Sequence, residues 1–285
     1  MTEAEKTSGR KLIFLDIDGT LTPAGSNVPP ESALETIREA RERGHRVFLC
    51  TGRNMAMLSP LLRYGFDGVV ASAGGYVVCG DRVIYDCPMT EQQTRTAMEV
   101  LKKNNVFRTI EAKDATYGDS GLSDMIAASQ GGNSELERWR KVLAEDLGIR
   151  PMEEYDGRPI YKVVIMCLSK EQLTEPRRLL EEEFEFCMQQ LTEHANCLNG
   201  ELINRRFDKG TGIRAICSAL EMKMEDTVGF GDSMNDLAML KVVGRSVCMG
   251  NGSEAVREMA DLVCPAVEED GLAAAFRELG LTGER

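Results

Sequence analysis

Two carboxylates stand two residues apart at the end of an apolar run, Lys11-Leu12-Ile13-Phe14-Leu15-Asp16-Ile17-Asp18-Gly19-Thr20-Leu21-Thr22. Acids this close repel unless a cation or a shared proton relieves them. Three later stretches carry groups that suit the same chemistry. Thr51-Gly52 offers a hydroxyl and an unblocked backbone N–H, both fit for a phosphoryl oxygen. Lys209 adds a cation at the start of a helix, where the dipole already favours an anion. Gly231-Asp232-Ser233-Met234-Asn235-Asp236 brings two more acids. Gathered in one crevice, Asp16, Asp18, Asp232 and Asp236 would need a hard divalent cation with oxygen ligands. Mg²⁺ is the natural choice, since it keeps waters and shares a substrate phosphate. The chemistry that follows is phosphoryl transfer through a carboxylate nucleophile. Asp16 attacks phosphorus to form an aspartyl-phosphate. Asp18 protonates the departing oxygen and then takes a proton from the attacking water.

Taken singly, each stretch has a plainer reading. Asp16 and Asp18 could be an acidic turn, Thr51-Gly52 a strand-to-helix turn, and Lys209 or Arg53 a surface residue. Asp236 could be a helix-start residue satisfying backbone donors. What favours chemistry is where the surrounding elements place them. Leu12 to Leu15 reads as a buried parallel strand, apolar throughout rather than alternating. Asp16 then sits at a strand's carboxyl end, where open α/β sheets bind their ligands. Pro29-Pro30 opens a helix over Glu31 to Arg43, followed by a strand over Arg46 to Cys50 that runs into Thr51-Gly52. A helix over Asn54 to Tyr64 and a strand over Gly68 to Ser72 continue the alternation. Tyr76 to Cys79 and Val83 to Tyr85 read as a hairpin.

The composition of the chain then changes. Helices are expected over Glu91 to Lys103, Ser134 to Leu147 and Lys170 to Glu183, with strands over Val106 to Glu111 and Tyr161 to Leu168. Phe184 to Leu191 has a further strand's character. The first pattern resumes with a helix over Lys209 to Glu221, a strand over Thr227 to Phe230, and a helix over Met234 to Leu240. A Ser253-capped helix and a final helix over Leu272 to Leu279 follow. The fold class expected is α/β: a Rossmann-like parallel sheet with helices on both faces, plus an inserted α+β cap domain. The domain expectation is a core made of residues 1–86 and 200–285 with the insertion at 87–199.

The totals exclude several classes. The chain has 285 residues, 42% of them hydrophobic, and a formal charge of −12. That balance opposes nucleic acid and anionic membranes, but not a small phosphate ester, which needs only a local positive spot. No apolar run approaches a membrane span. Nine cysteines without a C-x-x-C pair, and no secretory signal, read as reduced thiols in the cytoplasm. His45 and His194 show no ligand spacing and read as structural or exposed.

The four stretches together resemble the haloacid dehalogenase superfamily of phosphatases, in its Cof-like branch with a large cap after the third strand. Asp16 to Thr22 matches the first family motif, Thr51-Gly52-Arg53 the second, Lys209-Gly210 the third and Gly231 to Asp236 the fourth. The branch often carries Asn-Gly after the third strand, where this chain has Ala73-Gly74. The resemblance implies Asp16 as nucleophile and Asp18 as acid/base. It implies Mg²⁺ held by Asp16, the Asp18 backbone carbonyl and Asp232, with Asp236 supporting the metal shell. It also implies that Asn235 and Lys209 touch the phosphate. The function expected is a Mg²⁺-dependent phosphatase for a small phosphorylated metabolite such as a sugar phosphate. The alternatives are a phosphomutase or phosphotransferase, and a phosphate-binding protein without catalysis.

Overall fold

The computed structural model describes residues 9–121, 124, 148–188 and 197–283. The helix expected over Ser134 to Leu147 lies outside them. The chain forms two compact units. One comprises residues up to Gly52, Ser59–Asp86 and everything from Asp208 on; the other comprises Arg53–Leu58 and Cys87–Phe207.

The first unit is built on an eight-stranded sheet. Its strands are β1 (Leu12–Leu15), β2 (Arg46–Cys50), β3 (Gly68–Ala71), β4 (Tyr76–Cys79), β5 (Arg82–Asp86), β12 (Thr227–Gly231), β13 (Arg245–Cys248) and β14 (Leu262–Val263). The spatial order is β14-β13-β12-β1-β2-β3-β4-β5. Pairing is parallel from β14 to β3 and antiparallel for the β3–β4–β5 edge. All four residues of β1 are buried, which is why its sequence is apolar throughout. Helices cover both faces. Phe14, Phe48 and Val70 pack with Ile213 and Ile216 of the helix Lys209–Ala219 on one side. The Phe14 and Phe48 rings are 5.2 Å apart. On the other side, Phe230 meets Phe276 of the helix Gly271–Glu278 at 5.1 Å. The helix Glu31–Glu42 buries Ala33, Ile37 and Ala40. The proline that opens it, Pro30, is its cap rather than its first helical residue.

The second unit holds a six-stranded sheet. Its strands are β6 (Phe107–Ala112), β7 (Thr116–Gly118), β8 (Ile149–Pro151), β9 (Ile160–Cys167), β10 (Phe184–Met188) and β11 (Leu198–Asn204), ordered β10-β11-β9-β6-β7-β8. Ala97, Val100 and Leu101 of the helix Glu91–Lys103 pack on Ile110, Tyr117, Val163 and Ile165. Thr90 and Gln93 close that helix's N-terminus with a reciprocal pair of hydrogen bonds. The unit runs to Phe207 rather than stopping at 199, because β11 pairs antiparallel with both β9 and β10.

Three local expectations change. Lys170 to Glu183 splits into a 3₁₀ turn, Lys170–Leu173, and a short helix, Thr174–Leu180. Met234 to Leu240 likewise opens as a 3₁₀ turn, Met234–Asp236. Ser253 occupies the cap position of the helix Glu254–Met259, but its side chain makes no capping hydrogen bond. His45 is structural: it is buried and its Nδ1 accepts from the Lys11 amide at 3.0 Å. Burial, with Arg43 and Lys11 nearby, lowers its pKa.

Candidate active site

Three strand ends of the first unit carry candidate residues along the sheet's carboxyl edge. Asp232 follows β12, Asp16 follows β1 and Thr51 follows β2, and these strands are immediate neighbours. Lys209 comes from another direction, as the first residue of the helix Lys209–Ala219. Asp208 fixes that start by accepting from the Thr211 amide at 2.6 Å.

The centre is a buried ion cluster. Lys209 Nζ lies 2.7 Å from Asp16 Oδ1 and 2.5 Å from Asp236 Oδ1. Asp236 is completely buried, and its second oxygen accepts from the backbone amides of Asp232 (3.0 Å) and Ser233 (3.1 Å). It therefore does satisfy backbone donors at a turn, and it also anchors the lysine. Asp16 is tied to β12 through its amide, which donates to the Phe230 carbonyl at 3.0 Å. Gly19, at φ +86°, lets the loop after β1 lie against Asp232; a Cβ there would sit 2.5 Å from Asp232 Oδ2. Asn251 holds the same loop by donating to the Gly19 carbonyl at 2.8 Å.

The other expected residues lie on the segments that follow β1, β2 and β12. Asp18 is half-buried, and its Oδ1 accepts from the Gly25 amide at 3.1 Å. Thr51 is buried; its amide donates to Val70 O at 2.8 Å and its carbonyl accepts from Ala73 at 2.9 Å. Gly52 is half-buried. Asn235 is exposed, with its Oδ1 accepting from the Ser233 hydroxyl at 2.8 Å. Arg53, expected at the surface, is buried. Reading the sequence missed Asn251 and the cap Asp208, and at the turn after β3 it marked Ala73-Gly74 but not the backbone conformation. In that turn Ala73 has φ +57°, a left-handed conformation that Asn tolerates better than Ala.

The electrostatics leave the acids in excess. Burial first, then Asp236, pushes the Asp16 carboxyl up to about 7 despite Lys209. Burial, Asp236 and Asp16 push Asp232 up to about 9. Burial alone would lower Lys209, but Asp16 and Asp236 overcome it and hold the ammonium well above its ordinary value. Asp16, Asp232 and Asp236 each offer an oxygen within 4.8 Å of the others. Asp232 Oδ1 is buried without a hydrogen-bond partner among the described residues. An all-oxygen donor set with a net negative charge and an orphaned carboxylate oxygen fits a hard divalent cation.

Residues 13–276 match the family model of the haloacid dehalogenase-like hydrolases. The chain belongs to this family, and the protein is an enzyme of the hydrolase class. YkrA of Bacillus subtilis is 31% identical over 276 residues, covering 95% of this chain and 98% of YkrA. The pyridoxal phosphate phosphatase YbhA of Escherichia coli is 24% identical, covering 92% and 96%. A solved structure from Geobacillus kaustophilus superposes with a TM-score of 0.77 at 27% identity, covering 96% of this chain and all of that one.

Proposed function

We propose that the protein is a Mg²⁺-dependent phosphatase acting on a small phosphomonoester, such as a sugar phosphate or a similar metabolite, with the second unit as its cap. The observation that carries this reading is the Asp16–Lys209–Asp236 cluster at the carboxyl edge of a parallel sheet. It offers an anchored carboxylate beside a fixed cation, as in-line attack on phosphorus requires.

The residues divide the work as follows. Asp16 attacks phosphorus, and the bond to the ester oxygen breaks as Asp18 gives that oxygen a proton. Asp18 then takes a proton from water, whose oxygen displaces the Asp16 carboxylate and releases inorganic phosphate. Thr51, Gly52, Asn235 and Lys209 bind the phosphoryl oxygens, where charge grows in the transition state. Asp236 holds Lys209 in place. Mg²⁺ bound by Asp16, the Asp18 carbonyl and Asp232 would neutralise the acids and polarise a phosphoryl oxygen. Pyridoxal phosphate, the ester in the name of the relative YbhA, is one candidate substrate. The nine cysteines, scattered without a C-x-x-C pair, favour a reducing compartment, the cytoplasm.

A panel of phosphorylated metabolites and p-nitrophenyl phosphate, read by inorganic phosphate release, tests the reading. Release is expected with Mg²⁺ and is lost in EDTA. Release that survives EDTA removes the metal from the proposal, and none from any ester removes the phosphatase.

The acids also link metal to stability. The folded Asp16 and Asp232 hold protons above the ordinary value of 3.8, whereas the unfolded chain gives them up. The metal-free protein therefore loses stability as pH rises from about 4 toward the raised values. A divalent cation takes the place of those protons. The rise in Tm on adding Mg²⁺ is expected to be larger at about pH 8 than at about pH 5.5. Scanning fluorimetry with Mg²⁺ and with EDTA measures it, and an equal rise at both pH values would contradict the cation site.

A further inference from the structure

We propose that Ser72 is a specificity-determining residue of this site, its hydroxyl hydrogen-bonding a hydroxyl on the organic part of the substrate. The proposal rests on the phosphatase reading and adds the class of ester the site prefers, a polyhydroxylated phosphomonoester.

Two costs meet at Ser72. Its φ is +49°, in the left-handed region where a side chain crowds the backbone. Its Oγ is buried with no hydrogen-bond partner among the described residues, and the residue is only 1% exposed. A hydroxyl there has lost water and gained nothing in the free protein. Glycine would relieve both costs and alanine the second. Strain and an orphaned donor at one position are features that folds retain where a ligand completes them.

The turn is held within the site from two sides. On one side, the Ala73 amide donates to the Thr51 carbonyl at 2.9 Å. On the other, Gly74, at φ +106°, packs so closely on the Asp208 carbonyl that a Cβ would collide with it. The turn is thus wedged between the Thr51 loop and the residue that caps the Lys209 helix.

Strand order sets what the hydroxyl can reach. Asp232, Asp16, Thr51 and Ser72 follow the adjacent strands β12, β1, β2 and β3. Adjacent strands lie about 4.8 Å apart, so Ser72 borders Thr51 on the side away from the attacking Asp16. The phosphoryl oxygens already have Thr51, Gly52 and Lys209. The group left for Ser72 is the one attached to the phosphate. A serine hydroxyl both donates and accepts, which matches another hydroxyl.

Ser72→Ala tests this without altering any residue assigned to the phosphoryl group. Kinetics on hexose, pentose and glycerol phosphates are compared with p-nitrophenyl phosphate, whose leaving group has no other hydroxyl. Binding of glucose 6-phosphate and of inorganic phosphate is measured by calorimetry, which needs no turnover. KM for the hydroxylated esters is expected to rise about 5- to 10-fold with kcat little changed. The affinity for glucose 6-phosphate should fall with it. Values for p-nitrophenyl phosphate and inorganic phosphate stay put, and Tm holds or rises, because an orphaned hydroxyl has been removed. Unchanged KM and binding across the hydroxylated esters would overturn the proposal. Equal weakening of inorganic phosphate would place Ser72 on the phosphoryl group instead, and a fall in Tm with all esters affected alike would make it structural. A wild-type protein that hydrolyses no ester defeats the phosphatase reading, while the glucose 6-phosphate and inorganic phosphate arms still decide Ser72.

Discussion

Asp16→Asn is expected to lower phosphate release by at least about 10³-fold while the protein stays folded. The amide is nearly the carboxylate's shape, so substrate can still enter, but its oxygen is a poor nucleophile and forms no stable phosphoryl ester. The fold should tolerate the change because Asp16 takes part in two opposing interactions. It accepts a hydrogen bond from Lys209 at 2.7 Å, and it repels Asp236 and Asp232. Asparagine keeps an acceptor for the lysine and removes the repulsion. Lys209 also keeps Asp236 at 2.5 Å. Tm in EDTA at about pH 8 should therefore match or exceed that of the parent protein, and the benefit should shrink at acid pH, where Asp16 is protonated anyway. Steady-state kinetics with Mg²⁺ check the first part. A variant retaining a tenth of the parent activity would take the nucleophile's role from Asp16.

What the sequence disclosed, and what it withheld, follows from the range of each interaction. The strand before Asp16 was legible because four successive apolar residues need burial on both faces, and that requirement is local. The alternation of strands and helices placed Asp16, Thr51 and Asp232 at one edge, because parallel strands joined by helices must align their carboxyl ends. The pairing inside the site was not legible. That Lys209 spans Asp16 and Asp236 depends on contacts 193 and 27 residues apart in sequence. No local pattern distinguishes a lysine buried to 2% from a surface one. Arg53 was misplaced for the same reason. The sequence reads Ser72 as the end of its strand and marks a break only at Ala73-Gly74; nothing local announces the positive φ of Ser72 and Ala73. Lys162, in the apolar strand β9, is similarly hidden: it is buried 2.6 Å from Glu201, which lies on the neighbouring strand β11.

Removing the buried cation should reveal how much of the first unit's stability depends on it. Lys209→Met keeps most of the side chain's bulk and deletes its charge. Asp16 and the fully buried Asp236 are then left with no cation between them. Breaking one side of a buried ion cluster costs about 3–5 kcal/mol, because the abandoned charge cannot recover its water. Urea unfolding in EDTA at about pH 8 should show a loss of that order. The same loss should be smaller at about pH 5. Lys209 is charged at both pH values, since its pKa is held well above the ordinary value, so the difference comes from the carboxyls. Asp16, which burial already pushes up, loses the lysine that lowers its pKa; it takes up a proton at acid pH, and its repulsion with Asp236 weakens. Asp236→Asn added to Lys209→Met supplies the internal control. It removes the stranded charge while an amide oxygen can still accept from the Asp232 and Ser233 backbone. The double variant should then be more stable than the sum of the two single losses implies. Strict additivity would mean that Lys209 and Asp236 do not depend on each other, and the cluster would lose its claim to be the anchor of the site.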